Sequence, residues 1–221
     1  MVSKAATHLT IDCLNPAVNS RPAVLLVHGW GASSDIWQAC TQDLAKAFAL
    51  YAVDLPGHGK HAHLTTVSLI EFVNELAKQM PIKNFSIIGW SLGGLVGSLL
   101  AAQSSSRVTA LVTIASNQSF VVQPTWPSAM ASHEFESFFS TLSLSSLARQ
   151  MARFQVLQTQ GVDSAKQDFR HIKTLLEAVD FSLEGLQSGL AALKKSDLHD
   201  CWQCLSMPVL HQFGQHDTLV P

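Results

Sequence analysis

The stretch Ile87-Ile88-Gly89-Trp90-Ser91-Leu92-Gly93-Gly94 constrains the fold of this chain more than any other. An apolar run leads into it from Phe85, and Leu95, Val96, Leu99 and Leu100 follow at helical spacing. A strand that turns directly into a helix brings two backbones almost into contact. The residues two before and two after the serine must therefore be small. Gly89 and Gly93 meet that need. Such a turn strains the serine backbone and lifts the Ser91 hydroxyl above the sheet. It also sets helix N–H groups beside that hydroxyl, where they stabilise developing negative charge. The G-x-S-x-G pattern by itself is a weak signal. The strand before it and the helix after it argue for a nucleophile over a glycine-rich turn with an incidental serine.

The rest of the chain has the rhythm such a turn requires. An edge strand is expected over residues 7–14, closed by Asn15-Pro16. Residues 23–27 form a short, fully apolar run, the mark of a buried parallel strand. His28-Gly29-Trp30-Gly31 follows at once, a loop able to bring backbone N–H groups close to a ligand. A helix is expected over residues 35–47, a strand over 49–53, the rigid turn Asp54-Leu55-Pro56-Gly57-His58-Gly59, and a helix over 67–78. A further strand over 108–115 follows the serine turn and its helix. Strands alternating with helices predict a mostly parallel α/β sheet covered on both faces. After Ser116 the rhythm breaks, leaving helical spacings such as Phe135/Phe138/Phe139/Leu142 and Leu147/Met151/Phe154/Leu157. A last strand is expected over 209–213, then the polar loop Gly214-Gln215-His216-Asp217. The predicted organisation is a core over 1–118, a helical lid over 119–194 and the continued core over 195–221. A lid belongs at that point, because ligands of parallel α/β sheets bind at the strand C-terminal ends.

Composition narrows the function. With 47% hydrophobic residues the 221-residue chain can fill the core of one large domain, and a net charge of −2 gives no general attraction to nucleic acid or anionic membranes. Met1-Val2-Ser3-Lys4 carries no apolar signal region, and Gly89, Gly93, Gly94 and Gly97 interrupt the longest apolar run. A soluble, cytoplasmic protein is expected. Cys13, Cys40, Cys201 and Cys204 are too few and too scattered for a disulfide framework. The pair in Cys201-Trp202-Gln203-Cys204 has no second pair to complete a zinc site and is misplaced for a thioredoxin-like one. No metal and no cofactor is expected.

An activated serine needs a base, a group that orients the base, and donors for the oxyanion. Asp217, just past a strand that follows the helical segment, suits the orienting acid in the order Ser…Asp…His. The backbone N–H groups of Leu92 and Trp30 suit the oxyanion. The base is the difficulty. The histidine should follow one more strand, and only four residues remain after Asp217. His28 belongs to the oxyanion loop, His58 to a turn, His211 to a predicted strand, and His216 adjoins the acid. The expectation is that a C-terminal strand, a histidine loop and a helix are missing from the chain. Losing the base costs on the order of 10⁶ in turnover, so the chain is expected to be nearly inactive. The sheet is also expected to expose an apolar edge.

Val24-Leu25-Leu26-Val27-His28-Gly29-Trp30-Gly31, Val53-Asp54-Leu55-Pro56-Gly57-His58-Gly59 and Gly89-Trp90-Ser91-Leu92-Gly93-Gly94 together resemble the α/β-hydrolase superfamily. The segment Ala152-Arg153-Phe154-Gln155-Val156-Leu157-Gln158-Thr159, the stretch Ala165-Lys166-Gln167-Asp168 and Ser206-Met207-Pro208 are similar to the pimeloyl-[acyl-carrier protein] methyl ester esterases of biotin synthesis. The resemblance implies the α/β-hydrolase fold with a helical lid insertion and a cofactor-free serine carboxylesterase. Its implied partner is acyl carrier protein bearing a pimeloyl methyl ester. By matching motif, Ser91 is the implied nucleophile and Asp217 the triad acid, with Trp30 and Leu92 at the ester oxygen. Phe154, Gln155, Val156, Leu157 and Gln158 are the implied lining of the acyl channel. Arg149, Arg153, Lys166 and Arg170 are the implied carrier-protein contacts, each pair spaced i, i+4 on one helix face. Lys166 stands where that family has an arginine, which keeps charge and loses the bidentate fork. Two alternatives stay open: a hydrolase of small esters or thioesters, and a non-catalytic binding protein on the same scaffold.

Overall fold

The computed structural model of the protein describes residues 7–16, 21–140, 142–161, 163–217 and 219–220. Met1 to Lys4, Thr218 and Pro221 lie outside the described residues, as does the Phe138 side chain expected on a helical apolar face.

Alternation in the strands builds the two layers. In β2 (Ala23–Val27) and β3 (Ala49–Val53) every residue is buried. Successive side chains point to opposite faces, so these strands feed two cores. Leu25, Val27, Tyr51 and Val53 face a large core with Phe72, Leu76, Val96 and Leu100. Those four come from α2 (Leu69–Gln79) and α3 (Leu92–Gln103). Val24, Leu26, Leu50 and Ala52 face Trp37 and, from α1 (Gln38–Leu44), Cys40 and Leu44. Helices therefore cover both faces. Burying a leucine completely, as at Leu25 and Leu26, contributes about 2 kcal/mol each.

Among the described residues the sheet has six strands in the order β1-β3-β2-β4-β5-β6, with β1 Ile11–Cys13, β4 Phe85–Trp90, β5 Val108–Ile114 and β6 Val209–Gln212. Only β1 runs antiparallel to its neighbour; β3, β2, β4, β5 and β6 pair in parallel. The chain goes from β2 to β3 on one side and to β4 on the other. The order thus reverses at β2, and the crevice at its C-terminal end is where such sheets bind ligands. The loop after β2 and the turn after β4 both open there.

Several expected boundaries moved for identifiable reasons. The strand expected over 7–14 shrinks to Ile11–Cys13. Leu9 N donates to Gln79 Oε1 and Thr10 N to His61 Nε2, so these amides leave the ladder. The helix expected over 35–47 splits into a 3₁₀ turn, Ser34–Trp37, opened by the Ser33 side chain, and the shorter α1. Helix α2 begins two residues later than expected because Ser68 and Glu71 form a capping box. Between β5 and β6 lie α4 (Ser132–Phe139), α5 (Leu147–Gln158), α6 (Ala165–Leu176), α7 (Leu183–Lys195) and α8 (His199–Gln203). Among the described residues β6 lies at the edge of the sheet, with Leu210 59% and Phe213 44% exposed.

Candidate active site

Ser91 sits between β4 and α3 at φ 54, ψ −119, and its N–H donates to Ile114 O at 2.8 Å. The crossing of strand and helix is as tight as the sequence demands. A Cβ on Gly89 would overlap the Gly93 carbonyl, and one on Gly93 would overlap the carbonyl oxygens of Val27 and His28. Among the described residues two non-glycine residues have positive φ, Ser91 and Ala115 (φ 46), and both line the same cavity. Strain of this kind, worth about 1–3 kcal/mol per residue, gathers at functional sites because the surrounding structure over-determines it.

That cavity holds about 180 Å³, below the roughly 300–1,000 Å³ of pockets for drug-sized ligands. A short acyl chain suits it better. Its wall is aromatic: Phe120, Phe135, Phe139 and Phe154 surround Ser91, and Trp30 meets the ring of Phe154 edge-on at 5.0 Å. Asp217 opens into the same space. One of its oxygens, Oδ1, accepts the N–H groups of Leu219 and Val220 at 2.9 Å each.

The structure brings together Ser91, Asp217, Trp30, Phe154 and Gln158 in this lining. Leu92 is the first residue of α3, a position whose N–H has no carbonyl to bond within the helix. Gln155 faces a different groove, between α5 and α6, while Val156 is 42% exposed and Leu157 is half-buried. Arg149 and Arg153 lie on α5, Lys166 and Arg170 on α6, all four exposed. Sequence reasoning missed the cavity walls Phe120, Met130 and Leu193. The periodic phenylalanines of α4 were a usable signal; nothing local marks the other three.

Among the described residues no histidine lines the cavity. Those nearest the oxyanion loop are committed elsewhere. His28 Nε2 accepts Leu55 N–H, and its Nδ1 meets Gly29 O at 2.8 Å. His58 Nε2 accepts Gly31 N–H while its Nδ1 faces Pro56 O, and His61 repeats the pattern with Thr10 N–H and Asp54 O. A ring nitrogen that accepts an N–H carries no proton, so each ring is neutral with its proton on Nδ1. Burial is the main reason that the His28 and His61 pKa values are lowered and that of His58 falls to about 3. Burial pushes the Asp54 carboxyl up. A charge taken up by His28 at low pH and the N–H groups of Lys60 and Ser34 outweigh it and hold that carboxyl below its usual range. His211 in β6 pairs with Thr113 Oγ1 and stacks on Trp202.

A family model described as "alpha/beta hydrolase fold" matches residues 22–221. The chain belongs to the alpha/beta hydrolase fold family. Among curated proteins it is similar to the pimeloyl-[acyl-carrier protein] methyl ester esterase of Salmonella heidelberg (strain SL476), 36% identical over 90% of this chain and 77% of that one. Among solved structures it is similar to an esterase from Exiguobacterium antarcticum, with TM-score 0.81, 19% identity, and 96% of this chain against 79% of that one covered. A bromoperoxidase from Bacillus anthracis gives TM-score 0.75 at 19% identity, covering 91% of this chain and 76% of that one. The last two share the hydrolase fold with this chain and speak only to fold.

The cysteine pair of this hydrolase lies at the end of α8, with Cys201 half-buried and pushed up to about 11, chiefly by burial. That is the opposite of a reactive thiolate. Among the described residues no three His, Cys, Asp or Glu side chains are grouped to hold a metal ion. No helix of the described residues is long and apolar enough to cross a membrane.

Proposed function

We propose that this chain is a serine carboxylesterase that hydrolyses the methyl ester of a pimeloyl group carried on acyl carrier protein. The observation that carries the reading is the strained Ser91, opening into a small aromatic cavity that Asp217 also lines. The 36% identity to an esterase of that name supports the substrate. Ser91 Oγ bonds to the ester carbonyl carbon, and the carbonyl electron pair moves to oxygen, facing the N–H groups of Trp30 and Leu92. The serine proton passes to a general base oriented by Asp217 and then to the departing methanol. Water attacks the acyl-enzyme in the same way and releases the free acid with Ser91 restored. Phe154 and Gln158 hold the acyl chain at the cavity wall.

Segment 119–194 acts as the lid of this site and as the platform for the carrier protein. Arg149 and Arg153 on one helix and Lys166 and Arg170 on the next give exposed cations on an acidic chain, a pattern that steers an acidic partner. The protein works in the cytoplasm, in keeping with its free cysteines. A second reading, hydrolysis of small free esters, is favoured by the cavity itself, which needs no carrier to be filled.

The test is hydrolysis of a short p-nitrophenyl ester by the 221-residue chain, with Ser91→Ala beside it, followed by a carrier-bound ester. Turnover lost in Ser91→Ala would support the esterase reading and would place a base within these residues, overturning the expectation of a missing histidine. No turnover above Ser91→Ala, from a folded sample, refutes the esterase reading for this chain. Reversing Arg149 and Arg153 to glutamate is expected to weaken only carrier-bound substrates. Equal loss on both substrates would remove the platform role.

A further inference from the structure

Two fully buried histidines grip the peptide groups on either side of Trp30. The Gly29–Trp30 peptide is held at its oxygen: Gly29 O accepts His28 Nδ1–H at 2.8 Å. The Trp30–Gly31 peptide is held at its nitrogen: Gly31 N–H donates to His58 Nε2 at 3.0 Å. Each ring is anchored in turn on the turn after β3, His28 by Leu55 N–H at 2.9 Å and His58 by Pro56 O at 2.8 Å. The rings lie 5.3 Å apart, and neither is exposed. Phe181 closes against His58 edge-on at 5.7 Å, and the Trp30 indole N–H is tied to Leu186 O at 2.8 Å.

Peptide groups are planar, with N–H and C=O pointing in opposite directions. A donor that fixes Gly29 O therefore fixes the direction of Trp30 N–H. We propose that His28 and His58 are positioning residues for ester hydrolysis, a clamp that aims the Trp30 N–H at the ester oxygen. This rests on the esterase reading. Neither histidine lines the cavity, so neither touches substrate. Their burial and neutral state suit the task, because a protonated Nε2 would set N–H against N–H. Asp54 Oδ1 lies 3.6 Å from His28 Nε2, and His61 is the remaining titratable neighbour of this pair.

The two histidines use opposite nitrogens on the loop, which gives a test that a merely structural role would fail. Glutamine places its amide oxygen near the Nε2 position; asparagine places its amide N–H near the Nδ1 position. At position 58 the loop contact is through Nε2, so His58→Gln is expected to retain most of kcat. His58→Asn is expected to lose about ten- to a hundredfold in kcat with KM little changed. At position 28 the loop contact is through Nδ1, and the order reverses: His28→Asn keeps kcat and His28→Gln loses it. Two-dimensional ¹H–¹⁵N spectra of the same variants read the clamp without turnover. The Trp30 and Gly31 amide signals are expected to move in His58→Asn and His28→Gln and to stay near their places in the other two. Unmoved amides in all four, or equal losses from glutamine and asparagine at each position, would overturn the proposal. If the parent chain shows no Ser91-dependent turnover, the esterase reading fails and the spectra alone decide whether the clamp exists. Either position alone suffices should variants at the other not fold.

Discussion

Acidifying the protein from pH 7 to pH 5 is expected to remove about 2 kcal/mol of stability through His58 alone. Burial holds the folded-state pKa of this ring down at about 3, against the ordinary histidine value of 6.5. Between those values the unfolded chain binds a proton that the folded chain refuses. The stability is therefore fully present above about pH 6.5 and drains away as pH falls toward about 3, at ~1.4 kcal/mol per pH unit. At pH 5 this amounts to about 2 kcal/mol, and at pH 7 to almost nothing. His28 and His61 are lowered too and push the same way. Asp54 is held below the ordinary aspartate value of 3.8, so it titrates under this window and does not mask the effect. The assay is urea unfolding at both pH values, followed by tryptophan fluorescence. For an m of about 2 kcal/mol/M, the midpoint should fall by about 1 M or more. His58→Gln keeps the acceptor for Gly31 N–H and cannot titrate, so its midpoint should fall by about 1 M less than that of the parent. A parent midpoint that does not move between pH 7 and pH 5 would refute the reasoning. So would an equal shift in His58→Gln.

Other outcomes follow from single contacts. Ser91→Gly relieves the φ 54 strain and is expected to add about 1 kcal/mol to stability while abolishing ester turnover, read by thermal melting and by the p-nitrophenyl assay. Gly93→Ala drives a methyl into the Val27 and His28 carbonyls and is expected to cost at least about 3 kcal/mol, seen as a large loss of soluble, cooperatively melting protein. Leu210 is 59% exposed on the edge strand β6, where an apolar side chain invites pairing between chains. Leu210→Lys should lower the sedimentation-average mass if the parent self-associates, and equal masses for a self-associated pair would discount that edge.

Local pattern made much of this protein legible in its sequence. The serine turn is readable because its constraint is local: Gly89 and Gly93 lie within two residues of Ser91, and strand and helix must cross there. Continuous apolar runs read as buried parallel strands for a similar reason, since burial on both faces leaves no alternation to find. Edge strand β1 was overestimated because its N-terminal amides are taken by Gln79 and His61, far away in sequence. Phe154 and Gln158 share the cavity wall while Gln155 faces another groove. A helix turns its neighbouring residues through 100°, so a five-residue segment cannot all face one cavity.

The sequence by itself determined the α/β architecture, the place of Ser91 and the order in which Asp217 follows it, because each depends on spacing along the chain. Only the tertiary structure decided which residues meet across it. It brought Phe120, Met130 and Leu193 to the cavity that Ser91 opens into. It also turned His28 and His58 from apparent loop and turn residues into buried, neutral hydrogen-bond bridges. The physical reason is range. Backbone strain and side-chain period act over a few residues, whereas burial and hydrogen-bond pairing are set by whatever the folded chain packs nearby, as Gly31 is held by a ring 27 residues further on.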